Sequence, residues 1–168
     1  KNLTPLMEAD EDFRKDAFYS SALACGTYDG KQYALPFECA PELMFVNRTI
    51  LDNEGIAMPD NDWSWEDFYD ICQAVTKDTD GDGLTDQFGE IGYTWKEAFE
   101  SNGVQLFDQK GTECRLTASG VEESINFMEK LDVLSDGYNV SERDFELGNV
   151  AFQPMSFSEF RAYQPYPL

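Results

Sequence analysis

The stretch from Lys77 to Gly89, KDTDGDGLTDQFG, constrains the fold more than any other part of the chain. It holds four aspartates within nine residues, and two of them are followed by glycine. Aspartate and glycine are both unfavourable inside helices and strands, so the stretch predicts a loop. The residues before this loop predict an amphipathic helix, because apolar side chains recur at helical spacing: Trp65, Phe68, Cys72 and Val75. The residues after it, 88–93, resemble a strand.

The acidic residues of this loop also have the spacing of calcium ligands. Counted from Asp78, carboxylates occupy positions 1, 3, 5 and 9 and glycine occupies position 6, as in the first part of an EF-hand loop. The predicted ligands of a structural Ca²⁺ are the side chains of Asp78, Asp80, Asp82 and Asp86 and the backbone carbonyl of Leu84. The twelfth position is Gly89 instead of the bidentate glutamate, so Gln87 or Glu90 would complete the shell. The alternative is a solvated acidic turn, but four carboxylates this close repel one another, which favours the metal.

Short strand-like runs alternate with helical patterns along the rest of the chain. The interpretation is a helix-rich α/β fold, although α+β is also compatible with the pattern. The predicted helices are 4–23, 48–54, 64–75, 95–102, 119–131, 141–147 and 156–163, and the predicted strands or hairpins are 27–36, 43–46, 88–93, 106–116 and 150–152. Capping boxes are predicted at Ser64 and Ser119. The buried face of the 119–131 helix is predicted from its spacing as Val121, Ile125, Met128 and Leu131.

Charge and cysteine content narrow the classes of function. The chain carries 33 acidic against 12 basic residues, a net charge of −21, which argues against nucleic-acid binding and against adsorption to anionic membranes. No apolar run approaches the ~20 residues of a membrane span, so direct membrane insertion is not expected. The four cysteines lack metal-site spacing and are interpreted as small buried apolar residues. The alternative to four free cysteines is a disulfide, for which Cys25–Cys39 is the best candidate.

The order of several short motifs resembles the extracellular solute-binding protein family 1, the sugar-capturing components of ABC importers. The matching segments are NLTPL at residues 2–6, DGKQYALPF at 29–37, MFVN at 44–47, WSWEDF at 63–68, DGDG with DQFG within 80–89, and GNVAF at 148–152. Each motif is weak alone, but together they run in order over nearly the whole chain. Val46 and Phe152 depart from the family's usual tyrosine and methionine, and both remain apolar.

The resemblance implies a partial periplasmic-binding-protein-like II fold, mainly its second lobe. Residues 1–37 would be a remnant of the first lobe, with a helix and a hairpin. Residues 38–46 would form the hinge crossover, and 47–168 a second lobe truncated at its C-terminus. The resemblance implies an extracellular or periplasmic location, with a lipid anchor on a missing N-terminus. The implied partners are a carbohydrate, captured without catalysis, and an ABC transporter permease.

The resemblance also suggests which residues would contact a sugar. The implied contacts come from the hinge crossover and from the segments after two strands: Glu38, Glu42, Tyr93, Trp95, Asn102, Ser156 and Phe157. Sugar sites combine flat aromatic faces with polar side chains, and Tyr93 and Trp95 are the expected stacking residues. For the aromatic residues the alternative is core packing, for Asn102 a helix C-cap, and for the two glutamates a solvated charge.

Two other classes of function stay open at this point. One is a glycan-active enzyme that uses paired carboxylates and a structural calcium. The other is a calcium-dependent adhesion module, although such modules normally repeat their calcium loop and this chain has one.

Overall fold

The computed structural model describes residues 1–108 and 111–163. The chain divides into two compact units, Lys1–Pro41 and Glu42–Leu168, which are described separately. The division falls inside the segment 38–46 that was predicted as the crossover between lobes. The assignment of the two parts to two lobes stays a prediction.

The first unit contains short helices and a hairpin. Its elements are α1 (Thr4–Ala9), a 3-10 turn (Lys15–Ala17), α2 (Ser20–Cys25), β1 (Thr27–Tyr28) and β2 (Lys31–Gln32). The prediction of one helix over 4–23 was wrong. The backbone leaves the helix at Asp10, whose side chain accepts a hydrogen bond from the Asp12 N–H. An aspartate that bonds its own backbone two residues on competes with helix formation.

The predicted Asp-Gly hairpin is confirmed between β1 and β2. Asp29 and Gly30 both have positive φ, 47° and 68°, as a tight hairpin turn with two left-handed residues requires. Gln32 at the end of the hairpin is buried, and its Nε2 donates to the carbonyls of Leu23 and Ala34. This side chain therefore ties the hairpin to α2.

The second unit is built around a three-stranded sheet. Its strands are β3 (Glu42–Val46), β4 (Phe88–Glu90) and β5 (Val150–Ser156), in the order β3-β5-β4. The central strand β5 is antiparallel to β3 and parallel to β4. Its residues 150–152 are fully buried, as predicted. The prediction that β3 is buried was wrong, because β3 is an edge strand and Leu43 remains 49% exposed.

Helices cover the sheet, and one of them begins at its predicted capping box. They are α3 (Arg48–Asn53), α4 (Trp65–Val75), α5 (Trp95–Ser101), α6 (Ser119–Asp132), α7 (Glu142–Glu146) and α8 (Phe157–Tyr163), with a 3-10 turn at Val133–Ser135. Ser64 and Asp67 form the predicted capping box of α4. Asn47 accepts from the Thr49 N–H at 3.1 Å at the start of α3, and its Nδ2 donates to the Gly148 carbonyl.

Helix α6 differs from its prediction in its cap and in its buried face. Its N-cap is Ala118, so the capping box expected at Ser119 is absent. The buried side chains are Val121, Ser124, Phe127 and Leu131, whereas Ile125 is 45% exposed. Tertiary contacts rotate the face: the Phe127 ring stacks on Trp65 at 4.4 Å, and the Ser124 hydroxyl donates to the Ala98 carbonyl. These contacts could not be predicted from the helical spacing of Ile125 and Met128.

Two apolar clusters form the core of this unit. The larger joins α3, α4, α6 and β5 through residues such as Phe68 and Phe152, and the smaller centres on Phe88, Phe145 and Met155. Strand β4 crosses α4 so closely that a Cβ on Gly89 would lie 2.5 Å from the Cys72 Cβ. A glycine is therefore required where the aspartate loop returns to the sheet.

The cysteine predictions hold only in part. Cys72 is buried in the larger cluster, as expected for a small apolar residue. Cys25, Cys39 and Cys114 are exposed free thiols, so the predicted burial of these three and the candidate Cys25–Cys39 bridge were wrong. The predicted 106–116 hairpin appears as a single antiparallel bridge between Phe107 and Cys114, with residues 109–110 outside the described part.

Candidate functional site

The predicted ligand residues of the second unit gather where its strands end. Because β4 and β5 are parallel, their carboxyl ends lie at the same edge of the sheet, which is where open α/β sheets bind ligands. The antiparallel β3 begins at this edge, with Glu42 directly opposite Ser156. Phe157 follows β5, and the segment that carries Tyr93 and Trp95 follows β4. Five of the seven predicted residues therefore belong to this edge.

Tyr93 is half-buried and joins a small hydrogen-bond network. Its hydroxyl lies 2.9 Å from both the Trp65 Nε1, which donates to it, and the Ser101 hydroxyl. Its ring packs against Phe68 and Phe127, with centroids 5.1 Å and 6.0 Å apart. Burial is the main cause that raises the pKa of the Tyr93 phenol, so the group stays neutral and can both donate and accept.

A cavity of about 410 Å³ opens beside this network. Its walls include Met44, Trp63, Trp65, Phe68, Tyr93 and Ser101. Flat aromatic faces with a few fixed polar groups are the usual lining of a small-ligand site of this volume. Trp63 and Trp65 both pack on the core, but both are half-buried and also line the cavity. Their only sequence signal was two tryptophans beside a helix start.

Asn102 lines the same cavity, but its side chain is hydrogen-bonded to α6. It is the C-cap of α5, so the C-cap alternative is confirmed. Its Nδ2 donates to the Gly120 carbonyl at 3.0 Å and lies 3.4 Å from the Ser124 hydroxyl. Asn102 therefore links α5 to α6, and its side-chain nitrogen is already used within the fold.

Trp95 is the most accessible aromatic side chain of the segment after β4. It is the first residue of α5, which Thr94 caps by accepting from the Lys96 N–H while Glu97 accepts from the Thr94 N–H and hydroxyl. The Trp95 ring is 49% exposed and meets Phe99 edge-on at 5.6 Å. About half of the Trp95 surface is therefore accessible to solvent.

A second cavity of about 310 Å³ lies on the other side of the same segment. Tyr93 and Trp95 line it together with Glu90, Asp132 and Tyr138. Glu90, the last residue of β4, accepts the Tyr93 N–H at 3.0 Å. Burial raises the pKa of the Glu90 carboxyl to about 7, and the nearby charges of Asp132 and Glu97 act in the same direction. Sequence reasoning had considered Glu90 only as an extra calcium ligand, and its contact with Tyr93 replaces that role.

The residues at the end of β5 are partly used by the start of α8. The Ser156 hydroxyl donates to the Glu159 carboxylate at 2.6 Å, and this bond is the main cause that lowers the pKa of Glu159. The Phe157 ring is 53% exposed, with its centroid 6.2 Å from that of Phe160. Glu42 is exposed at the start of β3, and Glu38 is exposed in the first unit.

The aspartate loop brings three of its predicted ligands together. Carboxylate oxygens of Asp78, Asp80 and Asp86 lie within 4.8 Å of one another. The Asp78 carboxylate accepts the N–H groups of Gly81 and Gly83 at 2.7 Å, and these bonds lower its pKa. Asp82 is not in this group of three, and its carboxylate accepts the Leu84 N–H. The side chain of Gln87 donates instead to the Val75 carbonyl.

Comparison with known proteins identifies one family for the chain. The model of the bacterial extracellular solute-binding proteins matches residues 1–166. The chain belongs to this family. A comparison of this solute-binding protein with curated protein sequences gave no match.

Solved structures show the same fold. The ABC substrate-binding protein Lmo0181 from Listeria monocytogenes, in complex with cycloalternan, has a TM-score of 0.74 and 23% identity over 100% of this chain and 45% of its own. The sugar-binding protein MalE from Xanthomonas citri gives 0.75 and 14%, over 98% of this chain and 43% of its own. The maltose/maltodextrin-binding domain MalE from Bdellovibrio bacteriovorus, bound to maltotriose, gives 0.68 and 18%, with the same coverage of 98% and 43%.

These likenesses confirm the helix-rich α/β, partial periplasmic-binding-protein-like fold. This solute-binding protein spans less than half the length of the structures it matches, 45% or less for these three. Among the described residues, no helix is long and apolar enough to cross a membrane.

Proposed function

We propose that the protein is the substrate-binding component of an ABC importer, which captures an oligosaccharide outside the cell and delivers it to a membrane permease without chemical change. The observation that carries the proposal is the aromatic cavity lined by Tyr93, together with the exposed ring of Trp95 two residues further on, at the edge of the sheet where its parallel strands end. Membership of the solute-binding family supports it. The cycloalternan and maltotriose of two similar structures are oligosaccharides, which agrees with this ligand class.

The side chains of the edge suit a sugar in two ways. The ring faces of Tyr93 and Trp95 can stack on the C–H patches of a pyranose and remove them from water. Hydroxyl groups of the sugar need polar partners, which Ser101 offers in the cavity and Glu42 at the start of β3. Binding proteins of this kind enclose their ligands when two domains close around a hinge. We propose that the 38–46 segment, which includes Glu38, is this hinge.

The location follows from the family and completes the proposal. An extracellular solute-binding protein works outside the cytoplasmic membrane and must meet its permease there. We propose a lipid anchor on the whole protein as the means of keeping it near the permease. Fractionation of cells and mass spectrometry of the mature N-terminus test this part: an anchored protein partitions with membranes and carries acyl chains.

A glycan screen on the full-length protein tests the function. Isothermal titration with maltotriose, maltotetraose, mannobiose and cyclic glucans should find at least one ligand, with a change in tryptophan fluorescence. Incubated ligand should be recovered intact. Failure of every glycan to bind, or release of new reducing ends, contradicts the proposal.

A bound calcium ion in the aspartate loop is a separate proposal. Three carboxylates within 4.8 Å fit a cation that takes six to eight oxygen ligands. Calcium should raise the melting temperature, and Asp80→Ala should remove that gain. The control is Asp70→Ala, which removes the same charge from an exposed site on α4. No response to calcium, or an equal loss in the control, contradicts calcium binding.

Glycoside hydrolysis is the second candidate, because Glu90 and Asp132 line one cavity and the pKa of Glu90 is about 7. A carboxyl with a raised pKa near a second carboxyl is the arrangement of a general acid with its partner. The product analysis above separates the two functions. Hydrolysis that disappears in Glu90→Gln would establish the enzyme, whereas intact ligand supports the binding protein.

A further inference from the structure

Glu90 is a partly buried acidic group, and the proposed stacking of a sugar on Tyr93 and Trp95 gives it no role. It ends β4 and lines the cavity of about 310 Å³. Among the described residues, no lysine or arginine lines this cavity. A carboxylate withdrawn from water without a basic partner is costly, so its place in the structure needs an explanation.

The contact that explains Glu90 is its bond to the backbone of Tyr93. Glu90 Oε2 accepts the Tyr93 N–H at 3.0 Å, across a turn in which Gly92 has a φ of 80°. The Tyr93 hydroxyl is held on the other side by Trp65 and Ser101. One carboxylate therefore fixes the backbone at the point where the chain leaves the sheet.

The same bond determines where the exposed tryptophan stands. Thr94 follows Tyr93 and caps α5, and Trp95 is the first residue of that helix. A displacement of the Tyr93 backbone would move both the cap and the Trp95 ring. Glu90 thus acts on both proposed stacking residues through the backbone.

The groups that face Glu90 make its charge sensitive to pH. Cys72 of α4, Glu97 of α5 and Asp132 of α6 interact with it, and Tyr138 lines the same cavity. Burial and the two acids raise the pKa of Glu90 to about 7. Burial also raises the pKa of the Cys72 thiol and of the Tyr93 phenol, so both remain neutral in this range.

We propose that Glu90 is a positioning residue of the carbohydrate site, and that its ionised form holds the Tyr93–Trp95 segment in the binding conformation, so that affinity falls when Glu90 takes up a proton. The proposal rests on the proposed function. A hydrogen bond to a charged acceptor is worth more than one to a neutral acceptor. The difference predicts about a five-fold weaker affinity at pH 6 than at pH 8.

Two measurements on the full-length protein test this inference. The first is the Kd for maltotriose from pH 5.5 to 8.5, for the native protein, Glu90→Gln and the control Glu100→Gln, which removes a charge from an exposed position on α5. The native protein and the control should lose affinity below pH 7, and Glu90→Gln should show a flat profile. A profile in Glu90→Gln that matches the native one overturns the proposal.

The second measurement is the NMR shift of the Tyr93 amide in the ligand-free native protein. It should titrate with a midpoint near pH 7, as the Glu90 pKa of about 7 requires. A shift that stays constant from pH 5.5 to 8.5 overturns the coupling between Glu90 and Tyr93 even if sugar binds. If no oligosaccharide binds at any pH, the proposed function and the affinity claim fail together, while the amide titration still reports on the coupling.

Discussion

The cavity at Tyr93 and the aspartate loop both concentrate polar side chains, but they hold them in opposite surroundings. At Tyr93 the hydroxyl is bonded to Trp65 and Ser101 while the ring packs against core aromatic residues. In the loop, the carboxylate of Asp78 accepts N–H groups from its own loop and faces solvent. Substitutions at the cavity should therefore disturb the core, and substitutions in the loop should stay local.

The largest expected effect is the loss of Phe127, which supports the cavity from α6. Its ring is 8% exposed and stacks on Trp65 at 4.4 Å. Phe127→Ala should lower the free energy of unfolding by about 3–5 kcal/mol, because it leaves a void in the core. Urea denaturation measures this, with Phe127→Leu as the milder control. A loss below about 1 kcal/mol would show that the cavity is not coupled to the core.

The next largest effect is the pH dependence that Glu90 adds to the free energy of unfolding. Its pKa of about 7 in the folded protein exceeds the ordinary 4.5, so the folded state binds the proton more tightly. Its stabilising contribution is full below about pH 4.5 and is lost as the pH rises through 7. The stability of Glu90→Gln relative to the native protein should therefore grow by up to about 3 kcal/mol from pH 4.5 to 8.

Denaturation curves collected across this pH range check the Glu90 prediction. Glu100→Gln, at an exposed position on the neighbouring helix, serves as control and should follow the native protein. A constant difference between Glu90→Gln and the native protein would mean that Glu90 is not desolvated.

A smaller effect is expected from the Tyr93 hydroxyl alone. Tyr93→Phe removes the acceptor of the Trp65 N–H, but that N–H also lies 3.0 Å from the Ser101 hydroxyl. The expected loss is about 1 kcal/mol of unfolding free energy, together with weaker oligosaccharide binding. Tyr28→Phe, at a 74% exposed position, is the control and should change neither. Equal effects in the two variants would contradict the role of the network.

The smallest effect is expected in the loop when calcium is absent. Asp80→Ala removes an exposed carboxylate that accepts the Asp82 N–H within the loop, so the denaturation midpoint in chelator should not change measurably. Calcium should then separate the native protein from the variant. A loss in chelator as large as that of Tyr93→Phe would remove the contrast between the two regions.

Local features of the fold were predictable from the sequence, and the contacts that build the site were not. The Ser64–Asp67 box, the Asp29-Gly30 turn and the aspartate loop depend on residues a few positions apart. The hydrogen bond between Trp65 and Tyr93 joins residues 28 positions apart, so the periodicity of the sequence does not predict it. One local prediction was also wrong. The apolar spacing predicted a helix past Asp10, but the Asp10 side chain bonds the backbone of Asp12 and the helix ends there.

The candidate site shows the same division between local and distant causes. Tyr93, Trp95, Glu42 and Ser156 followed from the family resemblance, and the sheet places all four at the edge where its parallel strands end. The raised pKa of Glu90 depends on burial and on Asp132 of α6, which lies 42 positions further along the sequence. A lone glutamate at the end of a strand carries no sequence signal of such an environment.

The exposed ring of Trp95 gives the most direct test of the proposed sugar site. The Kd of the full-length protein for its best oligosaccharide is compared among the native protein, Trp95→Phe and Trp95→Ala, with melting temperatures to verify folding. Stacking on Trp95 predicts a loss of about ten-fold or more for alanine and a much smaller loss for phenylalanine, which keeps a ring. An unchanged Kd in a folded Trp95→Ala protein would contradict the claim that the segment after β4 binds the sugar.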